Sequence, residues 1–288
     1  MVEPRGKLVD VAGRKMHVRL AGSGGKVIVI LPGFGVPLPS LEMGLLLGKL
    51  AKKHTTCILE FFGYGFSDGA DRPHTNANYV AEIREALAKA GLKPPYVLMP
   101  YSCSGIYCEY YAAKHPDEVE ALILLDSSPT IEEFAQILDD ASADVAAALL
   151  DDSEPEEELE LSEDEDFAAF TQHGYTREDL LEIYETIATH RCATTQAAQF
   201  AALAGNIRET MALPLPAGLP VLLLSSDLKA QLAEEELAGY LKNTQQHMAR
   251  LGAAARCVVV EGSSHGDIYY HRQHLAAVCK EVDMFLSN

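Results

Sequence analysis

The chain has no tryptophan, and none of its apolar runs approaches the ~20 residues that span a bilayer. The first residues, MVEPRGKLVDV, lack the apolar core of a secretory signal. The expectation is therefore a cytoplasmic protein with no membrane contact. Its six cysteines include no CxxC pair, and most lie in apolar segments. That arrangement suggests neither a zinc site nor a disulfide framework, so no metal is expected. Positive charge is also scarce. With 23 basic against 42 acidic residues the formal charge is −19, which opposes binding to nucleic-acid phosphates. Residues 151–166, DDSEPEEELELSEDED, concentrate 11 acids in 16 residues and leave the remainder near an ordinary value of about −8. Such a block repels itself and reads as a solvated loop, with attraction of cationic substrates or loose binding of divalent cations as the alternatives.

What the chain does have is alternation. Apolar blocks at Val27–Leu31, Cys57–Phe61, Tyr96–Met99, Ala121–Leu125, Val221–Leu224 and Cys257–Val260 suit parallel strands buried on both faces. Lys7–Val11 and Lys15–Leu20, either side of a short turn, suit a hairpin at the sheet edge. Helical spacing appears at about 41–52, 78–90, 105–114, 233–251 and 274–286. Between about 128 and 215 the pattern is helical without a convincing strand, and Thr176-Arg-Glu-Asp179 has the form of a helix N-cap with its reciprocal acid. The expected architecture is a core of residues 1–127 and 216–288 with a helical cap inserted at 128–215, carrying the acidic loop 151–166.

Residues 100–105, PYSCSG, stand where a buried strand turns into a helix. A nucleophile raised on such a turn tolerates only small residues two places before and after it. Centring on Ser102 puts Pro100 and Ser104 at those places; centring on Cys103 or Ser104 puts Tyr101 or Ile106 there. Sterics select Ser102. Pro100 departs from the G-x-S-x-G form and is tolerable at a strand's end, where one missing N–H costs least.

With this elbow the chain resembles the α/β-hydrolase superfamily over its whole length outside the cap, and three further segments carry the likeness. Leu31-Pro-Gly-Phe-Gly35 looks like the family's oxyanion loop; Glu60-Phe-Phe-Gly-Tyr-Gly-Phe-Ser-Asp68 is similar to its D-x-x-G-x-G-x-S loop, with glutamate first; Glu261-Gly-Ser-Ser-His265 ends where the family places its general base. The resemblance implies an α/β-hydrolase fold: a mostly parallel eight-stranded sheet, helices on both faces and an inserted helical cap. It also implies Ser102 as nucleophile, His265 as base, and the backbone amides of Phe34 and Cys103 as the oxyanion hole. For the acid, Asp227 after the seventh strand is favoured, with Asp126 after the sixth as the alternative. His271 and His274 are expected at the surface, and Asp267 is too near His265 in sequence to be its natural partner.

The implied activity is a serine hydrolase, a carboxylic ester hydrolase by preference, acting on a small ester, thioester or amide through an acyl-enzyme without a cofactor. An aminopeptidase-like enzyme and a catalytically silent binding protein of the same fold are the competing readings. Serine at the elbow and the missing tryptophan set aside epoxide hydrolase and dehalogenase chemistry. The cap aromatics Phe167, Phe170, Tyr175, Tyr184 and Phe200 are expected to pack the cap's own core more than to line a pocket.

Overall fold

The computed structural model describes residues 5–150, 165–189 and 193–287. Nearly all of the acidic stretch 151–166 lies outside the described residues. Eight strands form one sheet: β1 (Lys7–Val11), β2 (Arg14–Ala21), β3 (Val27–Leu31), β4 (Thr55–Leu59), β5 (Tyr96–Pro100), β6 (Val119–Leu125), β7 (Val221–Ser226) and β8 (Ala255–Val260). Their order is β1-β2-β4-β3-β5-β6-β7-β8. The pairs β1/β2 and β2/β4 are antiparallel and every other pair is parallel. The β1–β2 hairpin turns on Ala12 and Gly13, with φ of 51° and 81°. Two positive values give the turn whose twist matches that of the strands it joins.

Helices α1 (Pro39–Glu42), α2 (Gly44–Leu50), α3 (Asn76–Ala90) and α4 (Ser104–Lys114) connect the first six strands. One helix is expected over 41–52; the structure divides it at Met43, just ahead of Gly44. Between β6 and β7 come α5 (Glu132–Leu150), α6 (Glu165–Thr171), α7 (Arg177–Thr189) and α8 (Ala193–Met211). Then α9 (Glu234–Leu251) joins β7 to β8, and α10 (Arg272–Leu286) closes the chain. Ahead of α7, the Thr176 hydroxyl accepts from the Asp179 amide at 3.1 Å while the Asp179 carboxylate accepts from the Thr176 amide at 2.8 Å. These are the reciprocal bonds of a capping box.

The continuous apolar character of the strands has a direct cause. Val29, Leu31, Leu98, Leu122, Leu124 and Leu223 point to one face, where they pack with α3, α4, α5 and α8. The alternate residues Ile28, Ile30, Val97, Ile123 and Leu224 point to the other, against α2 and α10. A strand covered on both sides cannot spare either parity for polar residues. A smaller core forms where α6, α7 and the turn between them set Phe167, Tyr175, Leu180 and Ile183 over Leu38 and Leu41, with Phe170 and Tyr184 packed against it. Phe200 on α8 instead joins the main core, edge-on to Phe34 at 5.7 Å. No helix among the described residues is long and apolar enough to cross a membrane.

Leu124 is fully buried in the middle of the sheet. Leu124→Ala is expected to lower the unfolding free energy by about 2–5 kcal/mol, from lost burial and the cavity left behind. Urea denaturation of both proteins measures it.

Candidate active site

The C-terminal ends of β5, β6 and β7 lie side by side, and the functional groups gather there because three chain turns leave the sheet together. The turn after β5 is the sharpest. Ser102 has φ of 55°, a left-handed conformation that costs an L-residue about 1 kcal/mol, held here by backbone bonds on both sides. Its amide donates to Leu125 O at 3.2 Å, and its carbonyl accepts from the amides of Gly105 and Ser128 at 3.1 Å each.

Small neighbours let this turn close. A Cβ on Gly33 would lie 2.7 Å from the Ser102 Cβ, and one on Gly105 would lie 2.7 Å from the Ser127 Cβ. The Ser104 hydroxyl is buried and donates to the Pro32 carbonyl. Pro100 sits in register with Leu31 on β3. On its other side the β5–β6 pairing runs to Leu98 and Leu122 and resumes only at Tyr101 and Leu125, so the missing proline N–H falls in a gap of the ladder.

The Ser102 Oγ lies 3.2 Å from His265 Nε2, and His265 Nδ1 lies 2.6 Å from Asp126 Oδ2. A carboxylate accepts, so Nδ1 carries the proton and Nε2 is left to accept from the serine hydroxyl. The His265 ring is 51% exposed and Asp126 only 8%. Tyr101 steadies the imidazole: the two rings stack at 4.8 Å, and the tyrosine hydroxyl donates to the His265 carbonyl at 2.7 Å. Burial pushes the Tyr101 phenol well up, which keeps it a donor.

Asp126, the alternative acid, is the carboxylate that His265 meets. Asp227, the favoured one, is not brought to it. Asp227 accepts from the amides of Gly262 at 3.1 Å and Lys229 at 3.3 Å, bonds that hold its carboxyl below the usual range. Its own amide donates to Ser263 O at 3.0 Å, so it fastens the loop that carries His265. The two strand ends are neighbours, and backbone direction separates them. Asp126 turns at φ 43° and swings its carboxylate over the sheet edge, whereas Asp227 continues extended at φ −94°.

Sequence reasoning missed Ser226. Its amide donates to Asp126 Oδ1 and its hydroxyl to Oδ2, both at 2.8 Å. No local pattern marks it, because the contact spans one hundred residues of chain. The expectation that His274 lies at the surface is also corrected: it is buried, with Nδ1 3.0 Å from Asp267 Oδ1, because the start of α10 packs back onto the 264–267 turn. His271 is half-buried beside it.

Cys103 is 2% exposed, and burial pushes its thiol up to about 12, which leaves it protonated and inert at neutral pH. Backbone N–H groups of Phe34 and Cys103 act on this sulfur against that rise. Gln199 of α8 reaches the same sulfur at 3.7 Å and the Tyr107 hydroxyl at 3.4 Å, tying the helical insertion to the base of the turn. Beside Ser102 and His265 opens a cleft of about 550 Å³ between α5 and α9. Among the described residues no group of three histidine, cysteine or acidic side chains is placed to hold a metal ion.

A serine on a left-handed strand-to-helix turn at the C-terminal edge of a mostly parallel sheet, bonded to a histidine that a nearly buried aspartate orients, is the arrangement of an α/β protein with an elbow turn after its central strand. The chain belongs to the alpha/beta hydrolase fold family, whose model matches residues 26–267. It is 38% identical over 126 residues to the uncharacterized protein YbdG of Bacillus subtilis (strain 168), a match covering 44% of this chain and 39% of that protein. The fold resembles that of the epoxide hydrolase VrEH1 from Vigna radiata (TM-score 0.68, 16% identity, 98% of this chain and 97% of that one). It equally resembles the enol-lactonase from Burkholderia xenovorans LB400 (TM-score 0.65, 18% identity, 98% and 100%).

The left-handed φ at Ser102 gives a stability test. Ser102→Gly and Ser102→Ala lose the same hydroxyl, but only glycine adopts φ 55° freely. Ser102→Gly is expected to be the more stable by about 1 kcal/mol. Chemical denaturation of the two variants side by side measures the difference.

Proposed function

We propose that this protein is a serine hydrolase that cleaves a small carboxylic ester, thioester or amide through an acyl-enzyme on Ser102. The unbroken chain from Ser102 Oγ to His265 Nε2, and from His265 Nδ1 to Asp126, is the observation that carries the reading. Ser102 Oγ attacks the acyl carbon while its proton passes to His265 Nε2. The amides of Phe34 and Cys103 receive the negative charge that develops on the carbonyl oxygen. His265 then returns the proton to the leaving group as its bond to carbon breaks. A water molecule gives a proton to the same nitrogen as it attacks the acyl carbon; the bond to Oγ then breaks, His265 returns the proton to Oγ, and the acid and the free serine are released.

Asp126 is the acid of this triad. It keeps the proton on Nδ1 and stabilises the imidazolium that forms when Nε2 takes the serine proton. Ser226, which donates to both oxygens of Asp126, keeps that carboxylate aimed at the imidazole. The helices between 128 and 215 act as the cap over the site, and substrates are small molecules that need no cofactor. Serine at the elbow, in place of a carboxylate, favours acyl transfer over the epoxide hydrolysis for which the Vigna radiata protein is named.

A fluorophosphonate probe is expected to label the wild type, Ser104→Ala and Cys103→Ala, and to leave Ser102→Ala unlabelled; labelling of Ser102→Ala overturns the assignment. Hydrolysis of p-nitrophenyl acyl esters is expected to fall roughly 10³–10⁴-fold in Asp126→Asn, because asparagine fixes the wrong tautomer. Asp227→Asn is expected to lose far less. An equal loss in the two variants would remove Asp126 from the triad, and faster turnover of aminoacyl anilides than of esters would replace the esterase reading by the aminopeptidase one.

A further inference from the structure

The cleft beside Ser102 has two unlike walls. From α9 it is lined by Glu236, Gly239, Tyr240, Asn243, Thr244 and His247. Their spacing of three and four residues is one face of a helix, and at 1.5 Å rise per residue the stripe runs about 16 Å. Glu236 and Gly239 are exposed, Tyr240, Asn243 and Thr244 half-buried, and His247 is 1% exposed. Glu236 therefore marks the mouth and His247 the closed end. The facing wall is apolar: Pro129, and Phe134 and Ile137 from α5. Ile137 leaves 54% of its surface uncovered, an unfavourable exposure that an occupant of the cleft would remove.

Along the polar wall most groups already have partners. The Tyr240 hydroxyl meets Ser225 Oγ at 2.5 Å, and the Thr244 hydroxyl donates to Tyr240 O at 3.0 Å. His247 Nε2 lies 2.7 Å from the buried Glu109 carboxylate. Glu236 accepts from the Ala233 amide at 3.0 Å. Asn243, half-way along the stripe, is the exception: among the described residues its side-chain amide has neither donor nor acceptor.

Covering Asn243 with an alkyl chain would strip water from one carbonyl and one NH2 without replacement, a costly desolvation. A ligand amide can meet either group, its C=O accepting from the NH2 or its N–H donating to the carbonyl, while its flanking carbons rest on Phe134 and Ile137. A carboxylate arm is disfavoured, since Asp126 and Glu236 line the cleft and no lysine or arginine does so among the described residues. We propose that the non-reacting arm of the substrate carries a secondary amide between apolar segments, read by Asn243. This deepens, and rests on, the assignment of Ser102 as the reacting centre.

Calorimetry tests the cleft by itself on the full chain carrying Ser102→Ala, which can cleave neither a p-nitrophenyl alkyl ether nor an amide in its arm, with Asn243→Leu and Gln245→Ala added to it in turn. Three ethers of equal arm length would carry a secondary amide, a hydroxyl or only methylenes at the same place. The amide ether is expected to bind roughly tenfold tighter than the alkyl ether. Asn243→Leu should bring the two within about twofold, and Gln245→Ala, an exposed position off the cleft-lining stripe, should keep the difference. Equal binding of the amide and alkyl ethers while Asn243 is intact, a preference that survives Asn243→Leu, or a hydroxyl ether as tight as the amide each overturns the proposal. Failure of the wild type to hydrolyse any ester would count against the hydrolase reading alone, because no arm of the binding experiment uses turnover.

Discussion

One left-handed residue organises the site. At Ser102 the backbone leaves β5 and enters α4 with almost no room, so everything that touches the turn is constrained in size. Gly33 must lack a Cβ to let the serine approach, Gly105 must lack one to let α4 pass Ser127, and Ser104 has room for one hydroxyl, which finds the Pro32 carbonyl. The strain persists because the peptide groups flanking Ser102 are bonded to β6 and its following loop. Those bonds also bring Asp126, at the end of β6, within reach of the same edge.

The electrostatics follow from how that edge is satisfied. Asp126 is nearly buried, and a buried carboxylate is tolerable only with donors around it. Ser226 supplies two and His265 a third. The imidazole is then held by the carboxylate on one side, by the Tyr101 ring on its face and by the bond from Tyr101 to its own carbonyl. Asp227 and Asp267 are drawn into the same region for a different purpose. One fastens residues 262–263 and the other joins Ser264 to His274, so the loop that bears His265 is pinned before and after it.

The helical insertion is bound into the core by polar contacts as well as apolar ones. Gln199 enters between Tyr64, Tyr107 and Cys103, all buried. A buried amide in such a place is costly unless every bond is made, so α8 can occupy only a narrow range of positions over the turn. Opposite it, the Glu109, His247, Arg250 and Thr130 cluster ties α4 to α9 and closes the far end of the cleft.

The strand set, the edge hairpin, the elbow serine and the histidine after β8 were legible in the sequence because each depends on neighbours in the chain. Alternation, turn residues and small-residue spacing are local quantities. The choice between Asp126 and Asp227 was not local: both stand at the ends of adjacent parallel strands, and no periodicity distinguishes them. The tertiary structure sets which of the two carboxylates lies beside His265, through φ 43° at one and an extended backbone at the other. Ser226, buried His274 and unpartnered Asn243 were invisible for the same reason, since their meaning lies in groups seven to one hundred residues away or in a wall supplied by another helix. By itself the sequence determined which residues can turn, span and cover. Only folding determined which carboxylate meets the histidine, because that depends on the direction of two side chains where separate strands end together.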